Sequence, residues 1–161
     1  MDQPAIFDLI KNILRRQKME LSAFNYGANA VSYMKNGEKY GMICAWAMQA
    51  DYDKILMLLG AQSITGKNIS KGDVIGVSTL SENQQDVVDT LGSRHSDDAD
   101  KFTNIRYTIK DSAILIDDAS NCMIVEVLDV LHLPGIEEDN LIYGLVKSYV
   151  SNDSKKYALP D

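Results

Sequence analysis

The sequence predicts a mainly β fold: an antiparallel barrel with only short helices between its strands. Two observations carry that reading. At least six stretches with strand-like patterning follow one another at close spacing. The first and last pairs are joined by turns, whereas a doubly wound α/β sheet needs a helix between most consecutive strands. The 161 residues, 45% hydrophobic and 24% charged, suit one domain over 1–161 that buries roughly 70% of its unfolded surface.

Residues 4–16 read as an amphipathic helix. Ile6, Leu9, Ile10, Ile13 and Leu14 recur at helical spacing, Pro4 suits the first turn, and Arg15 and Arg16 suit the negative end of the dipole. From Ala28 the pattern turns to strands. Ala30-Val31-Ser32-Tyr33-Met34 runs into Lys35-Asn36-Gly37-Glu38. Asn-Gly suits a type I′ hairpin because both of its central residues need positive φ. The return strand is residues 39–46. Residues 54–61 are apolar along most of their length and read as a strand buried on both faces. A short helix over 64–71 and a strand over 73–80 follow.

Ser81-Glu82-Asn83-Gln84 fits a capping box. It opens a helix of about ten residues, with Val87, Val88 and Leu91 inward. A polar loop spans 92–101. Strands are then expected at 105–109, 113–116, 121–133 and 140–149. Pro134-Gly135 and Glu137-Glu138-Asp139 turn the chain between the last two, as in a hairpin. The tail beyond Val150 is polar until Tyr157-Ala158-Leu159-Pro160.

Charge and motif content exclude several functions. With 16 basic against 23 acidic residues and a net charge of −7, the surface does not suit phosphate-backbone recognition. No basic amphipathic stretch suits an anionic membrane. The apolar runs fall far short of the ~20 residues of a membrane span, and no signal peptide is visible. Cys44 and Cys122 lie far apart in apolar runs, and His95 and His132 stand alone, so no zinc-ligand spacing exists. Two free thiols imply a reducing, cytoplasmic compartment. No G-x-G-x-x-G or G-x-S-x-G occurs. The segment from Gly60 to Asn68 imitates a P-loop, but five residues separate its glycines instead of four. Asn68 also stands where a Ser or Thr must hold Mg²⁺. Asp117-Asp118 and Glu137-Glu138-Asp139 read as turn and surface acids.

Three segments remain as candidate sites. Ser63 and Thr65, between a strand and a helix, offer hydroxyls for an anion or for capping. Arg94, His95 and Lys101 concentrate cations in one loop, next to acids that can pair with them. Trp46, the only tryptophan, sits among small residues in Cys44-Ala45-Trp46-Ala47-Met48. It suits core packing or the close approach of a flat ligand.

Taken together, these segments resemble the flavin reductase-like family of FMN-binding split barrels. The resemblance covers roughly residues 19–150 and rests on three pieces. One is the hairpin from Ala30-Val31-Ser32-Tyr33 to Gly41-Met42-Ile43-Cys44-Ala45-Trp46. The next is the strand over 55–60 with the Ser63-x-Thr65 that follows it. The last is the loop from Gly92-Ser93-Arg94-His95-Ser96 to Asp100-Lys101-Phe102.

The resemblance implies a six-stranded antiparallel split barrel of the FMN-binding type, dimerising with one flavin near each subunit boundary. It implies that Ala45, Trp46, Ala47 and Met48 run along the isoalloxazine. Gln62, Ser63 and Thr65 would meet the ribityl phosphate, with Arg94, His95 and Lys101 completing the contacts. The cofactor the resemblance implies is FMN, with FAD the alternative. The activity it implies is transfer of reducing equivalents from NAD(P)H through the flavin to free flavin or a partner protein. No side chain need act as acid or base, since the cofactor carries the chemistry.

Two departures bear on this. Tyr52-Asp53-Lys54 replaces the family's usual Pro-Pro pair. Glu138-Asp139-Asn140 stands where the reductases often carry Gly-Asp-His, whose His is linked to the nicotinamide. Asn140 has no titratable proton, which motivates an alternative: a flavoredoxin-like electron-transfer or flavin-binding module without nicotinamide activity. A barrel that has lost flavin for another small ligand is a third reading.

Overall fold

The computed structural model describes residue 6 and residues 8–10, 21–93 and 101–160. Of the expected N-terminal helix, Ile6 and residues 8–10 are helical, and the rest lies outside the described residues. Nine strands among the described residues form one sheet: β1 (Asn29–Lys35), β2 (Glu38–Cys44), β3 (Ala47–Asp51), β4 (Lys54–Leu59), β5 (Val74–Thr79), β6 (Tyr107–Lys110), β7 (Ala113–Ile116), β8 (Asn121–Leu131) and β9 (Asn140–Ser151). Two helices interrupt them, α1 (Ile64–Lys67) and α2 (Gln85–Ser93). No described helix is long and apolar enough to cross a membrane.

Every pairing is antiparallel. The path runs β3-β4-β9-β8-β5-β1-β7-β6, and β2 lies on the other edge of β1. The mainly β class is as expected, but the count exceeds six. β6 and β7 form a small hairpin where strands are expected at 105–109 and 113–116, and β3, over Ala47–Asp51, is unexpected, since the sequence places the end of the return strand at Trp46.

The first hairpin follows its turn chemistry. Asn36 and Gly37 take φ of 53° and 81°, and the register pairs Lys35 with Glu38 and Asn29 with Cys44. β1 then serves two cores, because alternate side chains leave opposite faces. Val31 and Tyr33 join Met57, Leu59, Ile75, Val125 and Ile142 on one face. Ala30 joins Leu80, Leu91, Phe102, Ile114 and Ile116 on the other. β4 also alternates, with Ile55, Met57 and Leu59 buried and Leu56 and Leu58 half-buried. The expectation of burial on both faces fails because β4's other face fronts a groove.

Among the described residues the sheet is not closed by a last pairing, and between β2 and β3 the chain changes its partner. Ala47 N–H donates back to the Ala45 carbonyl at 3.1 Å, a three-residue turn that ends the ladder with β1. Leu58 N–H then donates to the Trp46 carbonyl at 2.9 Å, so the chain has changed partner from β1 to β4. Cys44 spans the gap, its Sγ 3.4 Å from the Trp46 carbonyl and 3.7 Å from that of Leu58.

Two helix boundaries differ from expectation. Only half of the capping box forms. Gln84 Oε1 accepts the Ser81 N–H at 2.9 Å, but a turn intervenes and α2 begins at Gln85. α1 stops at Lys67, where Asn68 returns both its N–H and its Nδ2 to the Ile64 carbonyl. The C-terminal tail is docked. Tyr157 N–H donates to the Leu80 carbonyl at 2.9 Å, and its ring is buried in the second core.

Candidate flavin site

Ala45, Trp46, Ala47 and Met48 lie along one wall of a groove of about 700 Å³. Leu56 and Leu58 of β4 and Leu141 of β9 form its floor, and Phe24–Gly27 of the entering chain faces them. None of the lining residues is charged. Trp46 is 60% exposed and Met48 59%, so core packing is not the role of either. β3 ends the sheet path, and one row of its backbone N–H and C=O groups therefore has no strand partner. A flat apolar wall beside unpaired backbone donors and acceptors fits a tricyclic ring with a polar edge.

The floor leads directly to the second candidate segment. In the β4–β9 register, Leu58 faces Leu141 and Leu59 faces Asn140. Beyond Leu59 the chain turns through 60–63 into α1. Ser63 caps this helix: its Oγ accepts the Gly66 N–H at 3.1 Å and donates to Met42 Sδ at 3.1 Å. Gln62 is exposed and Ser63 half-buried, while Thr65 is 1% exposed and engaged. The Thr65 carbonyl accepts the Tyr33 hydroxyl at 2.6 Å. Burial first, then the neighbouring Tyr40 and Asp73, hold that phenol well above its usual pKa, so it stays a neutral donor.

Three cations were expected to complete the site. Arg94 and His95 lie outside the described residues. Lys101 is 6% exposed and engaged, not a free surface charge. β2 is the shared support of both loops. Met42 meets Ser63, and at the adjacent residue a Cβ on Gly41 would lie 2.5 Å from the Phe102 ring. Successive β2 residues leave opposite faces, so Ser63 and the Lys101-Phe102 pair approach this strand from opposite sides.

Sequence reasoning missed Phe24–Gly27, which carries no motif, and the hydroxyl role of Tyr33. Asp139 and Asn140 grip the α1 loop from 78 and 74 residues away; Asn140 stands out in the sequence for the His it replaces, but no local pattern reveals this contact. Both thiols are free, as expected. Burial raises the Cys44 thiol to about 11, an effect only partly offset by its contact with the Trp46 carbonyl. A thiol so held stays protonated at neutral pH and is not a nucleophile.

A family model described as "Flavin reductase like domain" matches residues 21–159. Among solved structures, the chain is similar to an NADH:FAD oxidoreductase from Streptomyces globisporus, at 13% identity and a TM-score of 0.76, over 99% of this chain and 91% of that one. It is similar to an FMN-binding protein from Thermus thermophilus, with 16% identity, 84% and 77% coverage and a TM-score of 0.73. It is also similar to a flavoredoxin from Methanosarcina acetivorans, with 11% identity, 90% and 92% coverage and a TM-score of 0.70. At these identities the likeness concerns the fold. No curated protein matches the chain.

Proposed function

The chain belongs to the flavin reductase-like family, and from that premise we propose that it is an FMN-binding oxidoreductase. It would pass reducing equivalents from NAD(P)H to free flavin or a partner protein. The observation that carries the reading is the uncharged groove along Ala45–Met48, whose floor strand β4 runs on into the loop that carries Ser63. Bound flavin would supply the hydride-transfer chemistry. The chain's own part is to bind and orient. The Trp46 and Leu58 side of the groove excludes water from the ring. Those backbone groups along Ala45–Met48 that pair neither with β4 nor with each other meet its polar edge. Gln62, Ser63 and Thr65 meet the phosphate, with Arg94 and His95 balancing its charge. Lys101, buried and engaged on the opposite side of β2, takes no part in this. FMN suits a site with one cluster of hydroxyls. FAD remains the alternative, since a solved relative is described in complex with NAD and FAD fragments.

One observation favours a second reading, a flavin-binding electron-transfer module without nicotinamide activity. Asn140 occupies the position where a titratable His was sought, and its amide is turned toward the Gly66 carbonyl at 2.8 Å. We also propose a homodimer, in which a second copy covers the exposed face of β3.

The test is a visible spectrum of the purified protein, repeated after FMN and then NADH or NADPH under argon. Flavin bands that bleach with a nucleotide are the expected result. Bands that persist with both nucleotides but bleach with dithionite establish the second reading. No flavin uptake on adding FMN overturns both.

A further inference from the structure

We infer that Asp139 and Asn140 are positioning residues for the phosphate-binding loop, and that they make the site select phosphorylated flavins over riboflavin. This rests on the reading in which Ser63 and Thr65 meet the phosphate.

The loop leaves β4 after Leu59. Its internal hydrogen bonds, Ser63 N–H to the Gly60 carbonyl, Gly66 N–H to Ser63 Oγ and Lys67 N–H to the Ser63 carbonyl, close local turns and anchor it to nothing else. A four-residue helix is far too short to hold its own shape. Tertiary bonds therefore set where its hydroxyls stand. Two of these come from neighbouring residues where the chain enters β9. Asp139 Oδ1 accepts the Ala61 N–H at 2.9 Å, at the loop's entrance. Asn140 Nδ2 donates to the Gly66 carbonyl at 2.8 Å, at its exit. Asn140 is itself fixed, as the first residue of β9 in register with Leu59. The pair thus clamps both ends of the segment that carries Gln62, Ser63 and Thr65. Further ties hold the middle and the end of the segment: the Tyr33 hydroxyl donates to the Thr65 carbonyl, Ser63 Oγ donates to Met42 Sδ, and Lys35 Nζ donates to the Asn68 carbonyl.

Losing either clamp frees one end of the loop and leaves the barrel core untouched. Neither Asp139 nor Asn140 lines the ring-binding groove, which β3, the outer face of β4, Leu141 and residues 24–27 form. The penalty therefore falls on recognition of the phosphate and spares that of the ring. Riboflavin has the same ring and ribityl chain without the phosphate, so the ratio of the two affinities isolates the loop.

The experiment measures FMN and riboflavin dissociation constants by quenching of flavin fluorescence, with ligand-free thermal melts alongside. The proteins are wild type and the Asp139→Ala, Asp139→Asn, Asn140→Ala and Asn140→Asp variants. Wild type is expected to prefer FMN. Asp139→Ala and Asn140→Ala should lower FMN affinity about tenfold, the order of one charge-assisted or buried hydrogen bond, with riboflavin within about twofold. Asp139→Asn keeps an acceptor facing Ala61 and should retain the preference. Asn140→Asp is isosteric but sets an acceptor against the Gly66 carbonyl, so it should lose the preference even if the alanine variants fail to fold. A preference that survives in Asn140→Asp and in the folded alanine variants overturns the inference alone. A wild-type ratio near one overturns the phosphate-loop reading and the inference with it. Equal losses for FMN and riboflavin would mean a general structural role and would also overturn it.

Discussion

Trp46 and Cys44 stand two residues apart and have opposite fates. Trp46 is largely exposed, so Trp46→Ala should leave ligand-free stability within about 0.5 kcal/mol. It removes an aromatic wall worth about 0.5–1.5 kcal/mol, so FMN should bind up to about tenfold more weakly. A melt and a fluorescence titration read the two effects separately, and a large loss of melting temperature would mean that the indole is structural. Cys44 is buried, with its thiol raised from 9.0 to about 11. A raised acid favours the folded state fully below the unfolded value and loses that contribution as pH climbs to the folded one. Stability should therefore fall between pH 9 and 11 by up to about 1.4 kcal/mol per unit from this group. Urea denaturation at pH 8, 9, 10 and 11 should show a shallower fall in Cys44→Ala than in wild type. Parallel pH profiles would remove the basis for this account. At this scale the sequence was partly legible. Ser63 reads as a helix cap or an anion site, and the structure shows the cap, with its Oγ accepting the Gly66 N–H. The exposure of Trp46 could not be read, because a Trp among apolar residues reads equally as core. Asp139 reads as a turn acid and Asn140 stands out only for the His it replaces, since their partners lie in a different part of the chain.

Elements whose shape is local were readable, and those shaped by a tertiary partner were not. Asn36-Gly37 announces its hairpin through the positive φ that both residues need. The break between β2 and β3 has no such mark, because Ala45, Trp46 and Ala47 include neither Gly nor Pro. It exists because the chain exchanges β1 for β4 as its partner. β4 looked doubly buried because its outward leucines line a groove, and a ligand groove asks for the same residues as a core. The docked tail was invisible for a similar reason: Tyr157 is one aromatic in a polar run until Leu80 receives it. Glycines give a test at this scale. A Cβ on Gly76 would lie 1.9 Å from the Ile114 carbonyl oxygen, where β5 and β7 cross. Backbone cannot yield as a side-chain tip does, so Gly76→Ala should cost more than about 3 kcal/mol or abolish soluble expression. Gly37→Ala meets no neighbour and bears only the left-handed strain of its φ, about 1–2 kcal/mol. Urea midpoints should rank the two in that order, and the reverse order would mean that the strand crossing relaxes freely.

For the whole molecule, the question is what covers β3. All five of its residues are exposed, and the β3–β4 turn presents Tyr52 at 99% exposure. Phe24 and Tyr149 are also exposed. An edge strand flanked by large apolar side chains is an invitation to pair. A second copy is a self-complementary answer, since a twofold axis lets one patch satisfy itself. Each chain carries a net charge of −7, so two copies repel through their long-range field while their apolar faces attract. That conflict gives a directional prediction. Sedimentation equilibrium should find a dimer whose dissociation constant falls as salt rises from about 20 to 200 mM, because screening weakens the repulsion and leaves the apolar contact intact. Met48→Glu, which buries a charge in the contact, should shift the population to monomer. Met48 also lines the ring groove, so a site shared between copies would make that variant's flavin affinity depend on protein concentration. A wild-type protein that stays monomeric at about 100 μM in high salt would show that β3 is covered by something other than this chain.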